Sequence, residues 1–432
     1  MSVRATSKSE PSQNWDVAVI GGGPAGMMAA GRAAERGATV ILIEKNKSLG
    51  KKLLITGGGR CNVTNAETDN KKFLAKFKDS GKFLFSPFSR WSVRETLDFF
   101  HVRQMATKEE EEQRVFPVSN TARSVHDTLQ DYLKEHTVSI LTNAAVRHLN
   151  QEGDVVTSVE LRDGRVIRAA SFILATGGTS HPETGSTGDG YSWLRTLGHS
   201  VSEARAGLVP LAVKQPDVTA RAAGVSVKDA KITLYQNETK QAQSRGKILF
   251  THVGLSGPAI LNMSREIGDL LKYDAVTIEI DFMPEMGHEK VNVGLQLVFT
   301  EKANRKIRNS LQGLLAPGLI PVLLDAAGID GETVCNSVTR EARMRLIKQC
   351  KHFRVEADHL LGMEKAVITA GGVELTEIDF KTMRSLKYSN LFLVGDILNV
   401  DRPSGGYSLQ LCWTTGFVAG DSVPLTYTKN IS

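Results

Sequence analysis

WDVAVIGGGPAGMMAAGRAAERGATVILIEK, residues 15–45, decides the fold. Trp15–Ile20 alternates and then runs apolar, as a strand buried in a parallel sheet does. The turn Gly21-Gly-Gly23-Pro-Ala-Gly26 opens Met27–Arg36, which is alanine-rich and apolar all round, hence a buried helix, and Gly37 ends it. Ala38–Glu44 is a second strand that closes on an acid. Three glycines at these offsets say little alone. Their place between a buried strand and a helix, inside a βαβ unit of about thirty residues, makes them a dinucleotide-binding turn. Gly21 allows the tight turn, Gly23 lets a pyrophosphate approach the backbone, and Gly26 lets helix and strand pack closely. The helix amino end offers free N–H groups and a positive dipole to phosphates. Glu44 would accept hydrogen bonds from a ribose 2′-hydroxyl and repel a 2′-phosphate, which argues against NADP here.

Beyond this unit, Gly50–Asn65 is too polar and glycine-rich for a core helix. Residues 92–104 and 121–136 read as amphipathic helices, Val138–Leu141 and Ala144–Leu149 as short strands. Val155–Leu161 and Arg165–Ala170, joined through Asp163-Gly164, form a hairpin. Ser171–Ala175 is a further buried strand running into Thr176-Gly177-Gly178. From about residue 200 the texture changes to short alternating strands (208–214, 223–235, 247–251, 275–282) followed by a helical stretch from 288 to about 350. Glycine-rich turns return near 366, then the buried strand Leu391–Val394 with Gly395-Asp396 behind it, and Gly405-Gly406 opens a last helix, Tyr407–Gly420. The plan is α/β, one discontinuous domain with an insertion: a first part over 15–198, an inserted β-rich and helical substrate domain over 199–365, and a second part over 366–424. Residues 1–14 read as a disordered tail or the remnant of an organelle transit peptide.

Composition narrows the function. Hydrophobic residues are 41% and charged residues 23% of 432, an ordinary globular balance. The uncharged run Pro403–Gly420 is too rich in Ser, Thr, Gln and Gly to span a membrane. Four dispersed cysteines (Cys61, Cys335, Cys350, Cys412) give no zinc motif, disulfide framework or dithiol pair, and fit a reducing compartment. No metal site is expected. The net charge of +6 permits an anionic ligand, but no Lys/Arg cluster with interleaved aromatics marks a nucleic-acid surface. Glu109–Glu112, Lys51-Lys52 and Lys71-Lys72 read as solvated faces.

The strand–turn segments Phe172–Gly178 (FILATGG) and Asn390–Leu398 (NLFLVGDIL), taken with the first βαβ unit, resemble the glutathione-reductase-type FAD fold. That resemblance implies that Thr176, Gly177 and Gly395 line the cofactor and that Asp396 takes the ribityl chain. It also implies that the helix opened at Gly406 faces the flavin pyrimidine, where a positive helix end stabilises charge at N1 and O2. The segments ITGGGRCNVTN (55–65), ATGGTSHPETGSTGDGY (175–191), LFTHVGLSGPAIL (249–261) and PSGGYSLQLCWTTGFVAG (403–420) are similar to those of the BaiN-like, aminoacetone-oxidase-type flavoproteins. The likeness runs over roughly 15–420 and implies a Rossmann-type FAD-binding domain carrying an inserted β-barrel with a helical subdomain. It implies non-covalent FAD touched by Ala25, Glu44, Lys45, Arg60, Asn62, Val146 (through its backbone beside the adenine), Asp396 and Leu409. This chain departs from the family at His181, where an aromatic such as Tyr is expected, and at Asp396-Ile397, where Glu-Val is common.

The expected function is that of a soluble, cytoplasmic FAD-dependent oxidoreductase moving a hydride between the flavin and a small molecule, amine oxidase-like or an NAD(P)H-dependent reductase. An organelle such as a chloroplast is the alternative location. An FAD-dependent RNA-modifying protein and a non-catalytic flavin carrier are the alternative functions. No catalytic constellation is legible, because flavin chemistry asks the protein mainly for position and electrostatics. Arg60 is the favoured cation near the flavin, Cys61 reads as a packing residue, and His252 is a possible acid/base. No second G-x-G-x-x-G follows a second strand, so NAD(P)H has no domain of its own. Either the substrate delivers the hydride, the preferred reading, or a nicotinamide nucleotide enters the substrate pocket transiently.

Overall fold

The computed structural model describes residues 15–425; the segment 1–14, read above as a tail, lies outside them. The chain divides into two compact units, one formed by residues up to 206 and from 368 onward, the other by Gly207–Val367.

In the first unit β1 (Trp15–Ile20), α1 (Pro24–Glu35) and β2 (Val40–Ile43) form the crossover. β1 pairs in parallel with β2 on one side and with Val166–Leu174 on the other, so the strand order reverses at β1. Ser139–Leu141 extends the sheet beyond β2, and Leu391–Leu393 extends it beyond Val166–Leu174. All four pairings are parallel, as strands buried on both faces require. The nine-residue strand Val166–Leu174 changes partner along its length: its first residues pair antiparallel with Val155–Leu161, its last with Leu391–Leu393. Val146–Glu152 completes the antiparallel flank. The closing helix, Tyr407–Ser422, lies along α1. Its Gly416 and Gly420 face the Ala25 and Ala29 carbonyls so closely that a Cβ would stand 2.5 and 2.4 Å from them. Trp413, Phe73, Phe77, Phe88 and Phe100 are fully buried in this core. The fold is therefore of the Rossmann type.

The second unit holds a closed six-stranded barrel in the order Leu211–Val213, Gly254–Ser256, Thr239–Phe250, Ser226–Gln236, Thr277–Asp281, Phe353–Leu360. Thr239–Phe250 is twelve residues long, far beyond the 247–251 that alternation marks, because its polar first half is largely exposed and carries no apolar signal. The stretch 288–350 is not one helical run. It breaks into His288–Glu301, Ile307–Ser310, Ile320–Ala326 and Arg340–Lys351, where Gly313, Pro317, Gly328 and Gly331 interrupt it. Among the described residues no helix is long and apolar enough to cross a membrane.

One buried group ties this fold to pH. His199, 4% exposed in the first unit, shares a hydrogen bond with Ser385 Oγ at 2.8 Å, and its Nδ1 has no partner. Burial holds its pKa below the ordinary histidine value. The folded protein thus excludes a proton that the unfolded chain takes up below about pH 6.5, so stability falls as pH drops from about 7 toward 5.5, while carboxylates stay ionised. His199→Gln is expected to flatten the urea midpoint across that window. A midpoint that declines as steeply in the variant would contradict the assignment.

Candidate functional site

The carboxyl ends of β1, Val166–Leu174 and Leu391–Leu393 lie side by side, and each is followed within three residues by a glycine with positive φ: Gly21 (+107°), Gly177 (+70°) after Ala175-Thr176, and Gly395 (+72°) after Val394. This is the crevice at the reversal of strand order where open α/β sheets bind ligands. Gly26 is required by contact, since a Cβ there would stand 1.9 Å from the Gly21 carbonyl. Gly23, the residue capping α1, is different. Its φ of −79° is ordinary and a Cβ would meet nothing within 4 Å, so the glycine leaves open space at a helix amino end without a side-chain cap. Such an end suits phosphate oxygens. Ala25 packs beside Gly395, joining the first turn of α1 to the third strand end.

Glu44 is buried at the end of β2. One carboxylate oxygen accepts the Gly22 N–H at 2.8 Å, and the other accepts the Asn46 backbone N–H and Nδ2, both at 2.8 Å. The carboxylate is thereby aimed and still has acceptor capacity. The Ala144 N–H donates to the Glu44 carbonyl at 3.0 Å, which brings the start of Val146–Glu152 alongside the end of β2. Glu44→Ala is expected to weaken FAD by about 1–3 kcal/mol, a charge-assisted hydrogen bond lost. A fluorescence titration showing an unchanged dissociation constant would refute that role.

Loop 53–65 comes to the same place. Asn65 Nδ2 donates to the Gly405 carbonyl at 3.3 Å, Thr64 Oγ1 to Gln410 Oε1 at 2.6 Å, and Trp413 Nε1 to the Val63 carbonyl at 2.9 Å. A Cβ on Gly406 would fall 2.3 Å from Thr64 backbone, and Leu409 is buried in the first turn that follows. Of the five buried side-chain atoms without a hydrogen-bond partner among the described residues, Asn62 Oδ1 and Thr176 Oγ1 belong to residues the sequence assigned to FAD; the other three are Arg103 Nε, His136 Nε2 and His199 Nδ1. An open cradle at Gly23, an aimed Glu44 and two orphaned oxygens fit a bound dinucleotide.

Some assigned residues have other occupations. Lys45 Nζ reaches Asp189 at 2.8 Å and Thr187 Oγ1 at 2.5 Å. Arg60 pairs with Glu110 at 2.5 Å, bonds Asn120 and lies over the Phe116 ring, so its charge is already met. Its guanidinium holds Glu110, the last residue of the strand Thr107–Glu110, below the usual carboxylate range, while Glu109, Glu111 and Glu112 are exposed as expected of a solvated face. Cys61 is fully buried and burial pushes its thiol up to about 12, which makes it inert. His181 carries a positive φ and pairs with Glu183 at 2.8 Å. His252 is an exposed loop residue of the barrel unit.

The reading of Lys51-Lys52 as a solvated face holds for the exposed Lys51 and is corrected for Lys52. Lys51 Nζ donates to the Glu183 carbonyl at 3.0 Å, while Lys52 bonds buried Ser180 and stands 3.7 Å from Asp396 Oδ2. Arg402, which no motif marked, is fully buried against the other Asp396 oxygen. Tyr191 donates to the Asp396 carbonyl at 2.9 Å, and burial with the nearby carboxylate raises its phenol pKa. Only the contrast of Arg402 with the uncharged run Pro403–Gly420 behind it could have flagged it.

The profile of the HI0933-like protein Rossmann domain matches residues 15–422, and the chain belongs to that family. It is 32% identical over 409 residues to the 3-dehydro-bile acid delta(4,6)-reductase of Clostridium scindens, covering 94% of this chain and 98% of that one. It is 27% identical over 418 residues to the ribosomal RNA dihydrouridine synthase of Escherichia coli, covering 95% and 98%. Among solved structures, a flavocytochrome c3 fumarate reductase superposes with a TM-score of 0.54 at 17% identity, covering 96% of this chain and 78% of that one. The 3-ketosteroid-delta4-(5alpha)-dehydrogenase of Rhodococcus jostii does so with 0.51 at 16% identity, covering 97% and 98%.

Proposed function

We propose that this member of the HI0933-like family reduces a carbon–carbon double bond conjugated to a carbonyl in a small molecule, using FAD as the hydride carrier. One observation carries the reading. Two relatives that align over nearly the whole chain are named for very different substrates, a bile acid and ribosomal RNA, yet both names describe hydrogen added across such a bond. Dihydrouridine is uridine saturated at C5–C6, beside its C4 carbonyl, and a delta(4,6) 3-oxo steroid is the same electronic arrangement. What the two relatives have in common is thus the reaction, not the substrate.

Bound FAD would supply the hydride; the residues supply binding, orientation and field. The α1 amino end and Gly23 receive the pyrophosphate, and Glu44 holds a ribose. Asn62 and Thr176 offer their orphaned oxygens to donors of the cofactor. A nicotinamide nucleotide, lacking a fingerprint of its own, would bind in the substrate pocket and leave before the alkene enters, giving parallel initial-rate lines.

The test is anaerobic. The protein is reduced with NADH or NADPH, freed of nucleotide, and mixed with a 3-oxo-Δ4,6 steroid or a simple enone, while the oxidised protein is mixed with a primary amine as the control. Reoxidation of the flavin by the enones with formation of saturated product supports the proposal. Flavin that is reduced by the amine and reoxidised only by oxygen would overturn it in favour of an amine oxidase. The 27% identity to the dihydrouridine synthase favours a second reading, an RNA uridine as substrate. A uridine-containing RNA oligonucleotide in the same assay, reoxidising the flavin faster than any enone, would establish it.

A further inference from the structure

Asp396 stands between two cations. The fully buried Arg402 guanidinium donates to one carboxylate oxygen, to the Val400 carbonyl at 2.8 Å and to Ser408 Oγ at 2.9 Å. Lys52 Nζ lies 3.7 Å from the other oxygen and donates to Ser180 Oγ. Ser408 belongs to the first turn of the 16-residue helix Tyr407–Ser422, so the guanidinium sits at a helix amino end, where anions are favoured and cations are not. Two full cations and about half a charge from the helix face a single carboxylate, which leaves on the order of +1.5 charges around a fully buried guanidinium, with the Lys52 side chain 22% and Asp396 14% exposed. A protein interior does not hold such an excess cheaply unless an anion completes it.

We infer that Arg402, Lys52 and this helix end form the locus for the negative charge that FAD acquires on reduction, with Arg402 and Lys52 acting as positioning residues that set the flavin potential. The inference rests on the FAD reading above. FAD carries two kinds of anionic charge: the permanent pyrophosphate, and the charge at the pyrimidine edge that appears when two electrons and one proton arrive from a reductant such as dithionite or NADPH. The helices Pro24–Glu35 and Tyr407–Ser422 both open at the crevice. The amino end of α1 is open at Gly23, has no side-chain cap and carries no acid in its first turn, which suits the pyrophosphate. The end at Gly406 carries the surplus cations, which suits a charge that must be favoured in one oxidation state over the other. Asp396 moderates the pair, keeping the locus from binding oxidised flavin too indifferently.

The experiment is a reductive titration of the FAD-loaded full-length protein against a reference dye, with the dissociation constant of oxidised FAD measured in parallel. Arg402→Gln and Lys52→Met are each expected to lose about tenfold to a hundredfold in preference for reduced over oxidised FAD, a fall of about 30–60 mV for a two-electron couple. Arg402→Lys, which keeps the charge, retains most of the potential. Oxidised FAD should bind within a few-fold of wild type. Unchanged potentials in the variants overturn the inference. So does an equal loss for both oxidation states, which would assign the cations to the pyrophosphate. Should Arg402→Gln fail to fold, the partly exposed Lys52 decides through Lys52→Met. A wild-type protein that takes up no FAD refutes the underlying cofactor reading instead, and the two failures are distinct.

Discussion

Gly23→Val is expected to yield a folded protein that no longer retains FAD, and Gly26→Val, three residues along, to yield no folded protein. Both glycines belong to one fingerprint, yet different neighbours require them. At Gly26 the added Cβ would lie 1.9 Å from the Gly21 carbonyl and 3.1 Å from Ala175 Cβ, backbone and strand atoms that cannot yield separately. Helix α1 would have to leave β1, at a cost on the order of several kcal/mol, comparable to the whole stability of many domains. At Gly23 the backbone is already in a conformation any residue adopts, and the new side chain enters free space. That space is where a phosphate would approach the N–H groups, so FAD affinity should fall at least about a hundredfold, about 2.7 kcal/mol. Circular dichroism melts of the cofactor-free proteins and flavin fluorescence titrations separate the two. Native FAD affinity in Gly23→Val would remove the α1 amino end from the cofactor site.

The contrast also shows what the sequence could and could not disclose. The βαβ unit, the strand ends at Thr176 and Gly395 and the closing helix were legible because burial on both faces writes long apolar runs bounded by glycine. The barrel strand Thr239–Phe250 was half hidden, since its exposed residues follow no period of two. Lys52 and Arg402 were invisible for another reason. A lysine in a polar loop is ordinarily solvated, and only the folded chain shows that Ser180 and Asp396, 128 residues away and more, converge on it. Arg60 shows the same from the other side: its place in a glycine-rich loop suggested a flavin contact, and nothing in the sequence signalled its ion pair with Glu110 on a neighbouring strand. Charge pairing across long sequence separations has no local pattern to read.

Gly416→Ala is expected to destabilise the first unit, while the same change at Gly294 stabilises the second. Both glycines lie inside helices, Tyr407–Ser422 and His288–Glu301, where propensity alone favours alanine by about 0.8–1.0 kcal/mol. At Gly294 a Cβ meets nothing within 4 Å, so the propensity gain should appear undiminished. At Gly416 it would stand 2.5 Å from the Ala25 carbonyl and 3.2 Å from Met28 Cβ, so the closing helix must lift off α1. Overpacking of this kind costs about 1–3 kcal/mol, more than the propensity gain, and the net sign reverses. The displacement also reaches the cofactor, because Ala25 is the second residue of α1 and touches Gly395. Gly416→Ala should therefore weaken FAD as well as stability, with saturating FAD recovering part of the loss through mass action. Urea unfolding of the two variants with and without FAD measures all of this. If Gly416→Ala unfolds at the wild-type midpoint, the closing helix is not held against α1 by these glycines, and the cradle must owe its shape to the strand ends alone.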